Sequence, residues 1–259
     1  MIIDETNQSL FPRNLSRRRR EGVRGLIINR MKKLVVLTGA GMSAESGIST
    51  FRDSGGLWEK YKIEDVATPE AFIKNPTLVL EFYNQRRIQL LECVPNAGHK
   101  LLVEMEEDFE IQIITQNVDN LHEQAGSSNV LHLHGELMKV RSTGWGQEIY
   151  DVSPEKPDVN LGDKCPKGYQ LRPHIVWFGE SVPEIENAIN LTKQADIFAV
   201  IGTSMQVYPA ASLIHYVNQH VPIYLIDPNE IFNLPKQVTV IQKGASEGVE
   251  ELRKLLMTK

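Results

Sequence analysis

Four groups of residues in this 259-residue chain have the types and spacing to do chemistry. The first is Gly39-Ala40-Gly41, set directly behind the apolar run at 34–37. Glycines there let the backbone approach a pyrophosphate, whose charge the N-terminus of a following helix can stabilise. Strand-to-helix turns also use glycine for steric reasons, and the full dinucleotide fingerprint is not met, because no third glycine follows at the required spacing. The second group is Gln116, Asn117 and Asp119, behind the apolar run at 111–115. Ligands of open α/β sheets bind at such strand ends, and an Asx-type cap on a helix beginning near Asn120 is the other reading. The third is His134, followed by Gly135. Imidazole titrates near neutral pH and can take a hydroxyl proton, although a lone histidine is more often held structurally by backbone, as His132 is read to be. The fourth, Gly202-Thr203-Ser204, is a second small-residue turn after an apolar run, suited to ribose and phosphate contacts.

A different chemistry sits in Phe82-Tyr83-Asn84-Gln85-Arg86-Arg87, inside a predicted helix over 76–91. Tyr83 and Arg86 are three apart and share a helix face. A guanidinium grips a carboxylate bidentately and a phenol adds a further donor. The plainer alternative is an exposed arginine beside a half-buried tyrosine on an amphipathic helix.

The elements that must position these groups alternate from Met31 onward. Buried strands are read at 34–37, 111–115, 196–201 and 223–226, with helices at 76–91, 96–106, from Pro209, and at 247–257. The pattern predicts an α/β fold, a Rossmann-like parallel sheet with helices on both faces. Residues 55–75 and 139–171 fit the rhythm poorly and are read as two insertions forming a small lobe. The folded unit is thus assigned to 31–259.

The bulk composition sets limits. At 41% hydrophobic and 24% charged, the chain reads as an ordinary soluble globular protein, with no apolar run near the roughly 18–20 residues of a membrane span. Cys93 and Cys165 are the only cysteines, too few for a disulfide framework, which favours a reducing, cytoplasmic setting. Residues 1–30 hold seven Arg against Asp4, Glu5 and Glu21, a balance of +4, while the remainder carries −9. The run Arg17–Arg20 has the composition of a nucleic-acid arm, but the acidic body offers no basic footprint. No nucleic-acid or membrane partner is therefore expected. Residues 1–30 are read as a disordered extension, or Met31 as the true start.

The continuation Ser43-Ala44-Glu45-Ser46-Gly47-Ile48-Ser49-Thr50-Phe51-Arg52 makes a resemblance specific. With the Gly-Ala-Gly turn it resembles the sirtuin signature. Thr115-Gln116-Asn117-Val118-Asp119-Asn120-Leu121-His122, His132-Leu133-His134-Gly135-Glu136, Arg172-Pro173-His174-Ile175-Val176-Trp177-Phe178-Gly179-Glu180 and Gly202-Thr203-Ser204-Met205-Gln206-Val207-Tyr208-Pro209-Ala210 resemble further sirtuin blocks. The likeness covers nearly everything after residue 30.

The resemblance implies an NAD-dependent protein lysine deacylase, in which NAD is consumed. The acyl oxygen attacks the ribose carbon bearing nicotinamide, and a base then activates a ribose hydroxyl. It assigns His134 as that base and Asn117 to the ribose and a positioned water. Asp119 takes the nicotinamide carboxamide, and Phe51 and Arg52 cover the nicotinamide ribose. Gly39, Ala40, Gly41, Met42, Ser43, Glu45, Trp58, Gln116, Gly202, Thr203 and Ser204 complete the NAD set, with Ala245 on the adenine side. Many sirtuins have Asn where this chain has Asp227, which can still accept from ribose hydroxyls. Val207 lines the channel for an acyl-lysine peptide, and the Tyr83-x-x-Arg86 pair marks the class preferring succinyl- and malonyl-lysine. Most sirtuins also hold a structural zinc with two cysteine pairs. Here Ser142 stands at one such position and only Cys165 survives, so no zinc is expected. The competing functions are an NAD glycohydrolase or ADP-ribosyltransferase, a non-catalytic NAD or ADP-ribose binder, and a hydride-transfer dehydrogenase.

Overall fold

The structure, a computed structural model, describes residues 30–48, 60–230 and 237–258; the fold is that of the unit beginning at Met31. Among the described residues nine strands are formed: β1 (Lys32–Thr38), β2 (Phe109–Thr115), β3 (Val130–His132), β4 (Gly135–Ser142), β5 (Ile149–Asp151), β6 (Leu171–Ile175), β7 (Ile197–Ile201), β8 (Ile223–Ile226) and β9 (Val238–Ile241). Six of them make one sheet in the order β3-β2-β1-β7-β8-β9. Every pairing in it is parallel. With β4–β6 set aside, this is the doubly wound 3-2-1-4-5-6 order, whose direction reverses between β1 and β7.

The sheet strands are continuous apolar runs because both faces are covered. Leu34 and Val36 pack into one core with Leu102, Val249 and Leu252, whereas Val35 and Leu37 point the other way, toward Ala188, Leu213 and Ile214. The helices are α1 (Ala40–Ala44), α2 (Ile63–Val66), α3 (Pro69–Lys74), α4 (Pro76–Leu91), α5 (Ala97–Glu104), α6 (Leu121–Ala125), α7 (Ile185–Lys193) and α8 (Ala245–Met257). Helix α4 starts where the sequence places it, with Asn75 Oδ1 accepting from Leu78 N at 3.2 Å and Pro76 at the first turn. The helix expected at 96–106 tightens into a 3₁₀ turn at Met105–Glu107. The one expected from Pro209 is a 3₁₀ helix, Ala210–Tyr216.

Part of the stretch read as irregular, at 139–142, 149–151 and 171, is ordered strand. β4, β5 and β6 form an antiparallel sheet in the order β5-β4-β6. Its core is shared with α4: Phe82, Tyr83 and Leu90 pack with Leu137, Ile175 and Trp177. Among the described residues no helix is long and apolar enough to cross a membrane.

Candidate functional site

The floor of the site is made where the turns after β1 and β7 meet. Gly41 N donates to Gly202 O at 2.8 Å, Gly39 N to Ile201 O at 3.0 Å, and Gly202 N to Ile226 O at 2.8 Å. A Cβ on Gly41 would lie 2.7 Å from Gly202 Cα, and one on Gly202 would lie 2.3 Å from Met42 N. Gly202 also has φ +63°, in the region favoured by glycine. These glycines are therefore required for backbone-on-backbone packing, and the floor they make lies at the crevice where doubly wound sheets bind ligands.

Polar groups converge on this floor from the loop after β2. Asn117 Nδ2 donates to Gly39 O (3.0 Å) and to Ser43 Oγ (3.1 Å), which commits both amide protons and leaves Oδ1 to accept. Buried Asp119 takes Leu121 N on Oδ1 at 3.2 Å, as the Asx-cap reading anticipated. Burial raises its proton affinity, against the Leu121 amide and the Ser43 hydroxyl. Gln116 Nε2 reaches Thr203 Oγ1 at 3.2 Å, tying the loop to the second small-residue turn. Ser204 is half-buried beside it.

The two histidines flanking the end of β3 are fixed by consecutive carbonyls. His134 Nδ1 lies 3.0 Å from Gln116 O, and His132 Nδ1 lies 3.1 Å from Asn117 O. A carbonyl can only accept, so in each ring Nδ1 carries the proton. His134 Nε2 is thereby left with the lone pair of a general base. Burial lowers the pKa of His134, against the pull of the Gln116 carbonyl, and keeps it neutral near pH 7. His132 differs. Its Nε2 meets Glu123 Oε1 at 2.8 Å, and although burial opposes the charge, this carboxylate raises the His132 pKa above the usual value. The pair braces the loop after β2: the backbone hold on His132 is the one its sequence reading expects, and the Glu123 pairing is the part that sequence does not advertise.

Other assigned residues act less directly. The Met42 side chain is fully buried in the sheet core, so only its backbone faces the floor. Glu45 receives Ser246 N at 3.2 Å and also the Ser246 hydroxyl, which joins α1 to the start of α8 beside buried Ala245. Asp227, behind β8, accepts from Asn229 N (2.9 Å) and Asn229 Nδ2 (3.1 Å) on a single oxygen, leaving the other for a ligand. Ala40 is half-buried at the start of α1, and Val207 is 37% exposed. Phe51, Arg52 and Trp58 lie outside the described residues.

On α4, Tyr83 is fully buried and Arg86 half-buried, with the guanidinium 5.9 Å from the Phe82 ring centre and 6.0 Å from that of Tyr83. Burial lowers the Arg86 pKa, and its interactions with Tyr83 and Asp119 act the other way. Arg86 thus sits within electrostatic reach of the Asn117–Asp119 loop. Its neighbour Arg87 does something else. Fully buried, it donates from Nε to Leu137 O (2.8 Å) and from one terminal nitrogen to Asn84 Oδ1 (2.7 Å), while Asn84 Nδ2 binds Val159 O at 3.1 Å. Desolvation brings the Arg87 pKa down to about 10.

In the small sheet, Ser142 Oγ and Cys165 Sγ are buried 3.3 Å apart, and Gly144 N donates to Ser142 Oγ at 3.1 Å. No group of three or more His, Cys, Asp or Glu suited to a metal occurs among the described residues. The donors at Ser142 and Cys165 do not fit a tetrahedral zinc, which takes four Cys or His ligands.

Comparison with known proteins agrees with this geometry. The Sir2 family profile matches residues 39–209, more than half of the chain. An NAD-dependent protein deacylase of Bacteroides thetaiotaomicron is 59% identical over 231 residues, covering 88% of this chain and 99% of the relative. An ADP-ribose complex of a Sir2 homologue variant superimposes with a TM-score of 0.79 at 41% identity, covering 90% of this chain and 96% of the other. A Sir2 homologue bound to NAD gives 0.77 at 42% identity, over 87% and 91%. With the family profile matched over more than half of its length and a relative 59% identical over 88% of it, the chain belongs to the Sir2 family.

Proposed function

We propose that this protein is an NAD-dependent protein lysine deacylase that removes acidic acyl groups, succinyl and malonyl, as well as acetyl. It releases nicotinamide and the acyl ester of ADP-ribose. The observation carrying the deacylase reading is His134, whose Nδ1 is held by Gln116 O while Nε2 stays free to accept a proton. Support comes from the relatives of the same family, whose names state this activity.

NAD supplies the electrophilic ribose carbon and carries the acyl group away. The protein's part is to bind, orient and move a proton. The Gly39–Gly41 and Gly202 turns give a small-residue floor on which a pyrophosphate can lie. Asn117 Oδ1 accepts from the ribose or a water, and Asp119 receives the nicotinamide amide. His134 Nε2 takes the ribose hydroxyl proton, which raises the oxygen's nucleophilicity at neutral pH.

The acidic-acyl preference rests on Tyr83 and Arg86, one helical face with a phenol and a guanidinium together. Plain NAD cleavage has no use for such a clamp, which weighs against a glycohydrolase. The reading also includes no zinc, because the chain has only two cysteines and Cys165 is engaged by Ser142. Two cysteines likewise suit a cytoplasmic site of action.

The test follows nicotinamide and acyl-ADP-ribose by mass spectrometry with NAD and matched acetyl-, succinyl- and malonyl-lysine peptides. Arg86→Met is expected to lower kcat/KM on succinyl peptide roughly thirtyfold more than on acetyl peptide, the scale of losing one partner of a buried charge pair. Nicotinamide release independent of peptide would overturn the deacylase reading, and equal loss on both peptides would remove Arg86 from selectivity.

A further inference from the structure

Tyr83 has one hydroxyl proton, and the structure fixes which way it cannot go. Trp177 Nε1 lies 2.9 Å from Tyr83 Oη, with both rings buried. An indole N–H only donates, so the phenol oxygen accepts and its own proton must point elsewhere. Accepting a hydrogen bond also makes a hydroxyl a better donor.

Trp177 is itself held from every side. The Arg172 guanidinium lies 3.4 Å from the indole ring centre. Arg172 in turn grips Glu180 with both terminal nitrogens, at 2.8 and 3.0 Å. Glu180 Oε2 accepts the Trp177 backbone N–H at 2.8 Å, and Arg141 adds a bond of 3.1 Å to the same oxygen. The Phe72 ring packs 5.4 Å away. One residue earlier, Val176 N donates to the carbonyl of His134 at 3.0 Å, so the catalytic histidine and the indole stand on one continuous framework. The sequence block at 172–180 resembles that of the family, yet the resemblance assigns no chemical task to the Trp177 indole.

We propose that Trp177 is a specificity-determining positioning residue: its indole N–H occupies the Tyr83 oxygen and turns the phenol proton toward the carboxylate of an acidic acyl chain. The inference rests on the acidic-acyl reading above. Burial keeps Tyr83 protonated, as this donor role requires. A neutral acetyl group has no carboxylate to use the oriented proton, so the indole N–H bears on the choice between acyl groups.

The test compares kcat and KM on succinyl- and acetyl-lysine peptides for the native protein, Trp177→Phe, Tyr83→Phe, the double variant and Arg86→Met. A second replacement of Trp177, by the isosteric 3-benzothienyl-alanine, removes the N–H and preserves the ring shape if phenylalanine disturbs folding. Both Trp177 replacements are expected to lower the succinyl-to-acetyl ratio of kcat/KM about tenfold, through succinyl KM, as loss of one buried hydrogen bond does. In the Tyr83→Phe background, Trp177→Phe should add nothing to the ratio. An unchanged ratio with the isostere, or full additivity in the double variant, overturns the proposal. If Arg86→Met lowers the ratio and the Trp177 replacements do not, only the Trp177 inference falls. If Arg86→Met leaves the ratio unchanged, the acidic-acyl reading falls and takes this inference with it.

Discussion

The strand ends of the parallel sheet and the β4–β6 lobe solve the same problem in opposite ways. At the strand ends the floor is made of backbone: Gly39, Gly41 and Gly202 press main chain against main chain, and carbonyls of Gln116 and Asn117 hold the histidines. In the small lobe the work falls to side chains, with Arg87 and Asn84 reaching out from α4, and Ser142 paired with Cys165. A backbone-built site tolerates almost no substitution at its glycines but leaves its side chains for chemistry. A lobe stapled by side chains can lose them one at a time, and each loss has its own modest cost.

The largest effect should come from His134→Ala, which removes the proposed base and is expected to lower steady-state formation of the acyl ester of ADP-ribose by about 10³-fold. In the native protein the lowered His134 pKa keeps the base neutral to more acidic conditions. Activity should therefore fall only below the usual histidine value of 6.5; an acid limb at or above that value in a kcat/KM profile would contradict the assignment. Gly202→Ala comes next. Its Cβ would meet Met42 N at 2.3 Å in a left-handed backbone, so the floor must open. A stability loss of about 2–3 kcal/mol in denaturant titration, with weaker NAD binding by calorimetry, is expected.

In the lobe, Arg87→Met should cost about 2–3 kcal/mol by removing the side-chain donor to Leu137 O and leaving Asn84 Oδ1 with Val159 N alone. Proteolysis should then cut first in the 139–171 region; cleavage confined to the parallel-sheet half would show that Arg87 does not staple the lobe. The smallest effect belongs to Cys165→Ala, about 1 kcal/mol for a buried thiol and one weak hydrogen bond. Activity before and after strong chelation should match, and stoichiometric zinc by elemental analysis would reverse the contrast between the two regions.

The parts legible in sequence were those with a local rule. Strands buried on both faces are apolar runs, so β1, β2, β7 and β8 stand out, and glycine turns declare themselves by sitting behind them. β4 escaped because its register shifts between Gly135 and Val140, which breaks the inside–outside alternation that marks a strand. β9 leaves Thr239 and Val240 exposed, so it carries no buried run to read. Helix α4 lies where the sequence places it, yet its buried face is not the purely apolar one: Ile88 and Leu91 face solvent while Asn84 and Arg87 are buried. Two adjacent arginines look alike in sequence, and only tertiary packing tells that Arg87 is fully buried and bonded to Leu137 O and Asn84. The indole of Trp177 was hidden for a similar reason, since its partner Tyr83 lies 94 positions away.

The two imidazoles on consecutive carbonyls have a consequence for folding fidelity. β3 is an edge strand of three residues, pairing with β2 at only three positions. So short an edge is weakly specified, and a slip by one residue would turn its side chains to the opposite face. Any such slip would pull His132 and His134 off the Asn117 and Gln116 carbonyls together. The hydrogen bonds that prepare the base thus double as an indexing pin, and a molecule that closes its sheet one notch out would be without its base.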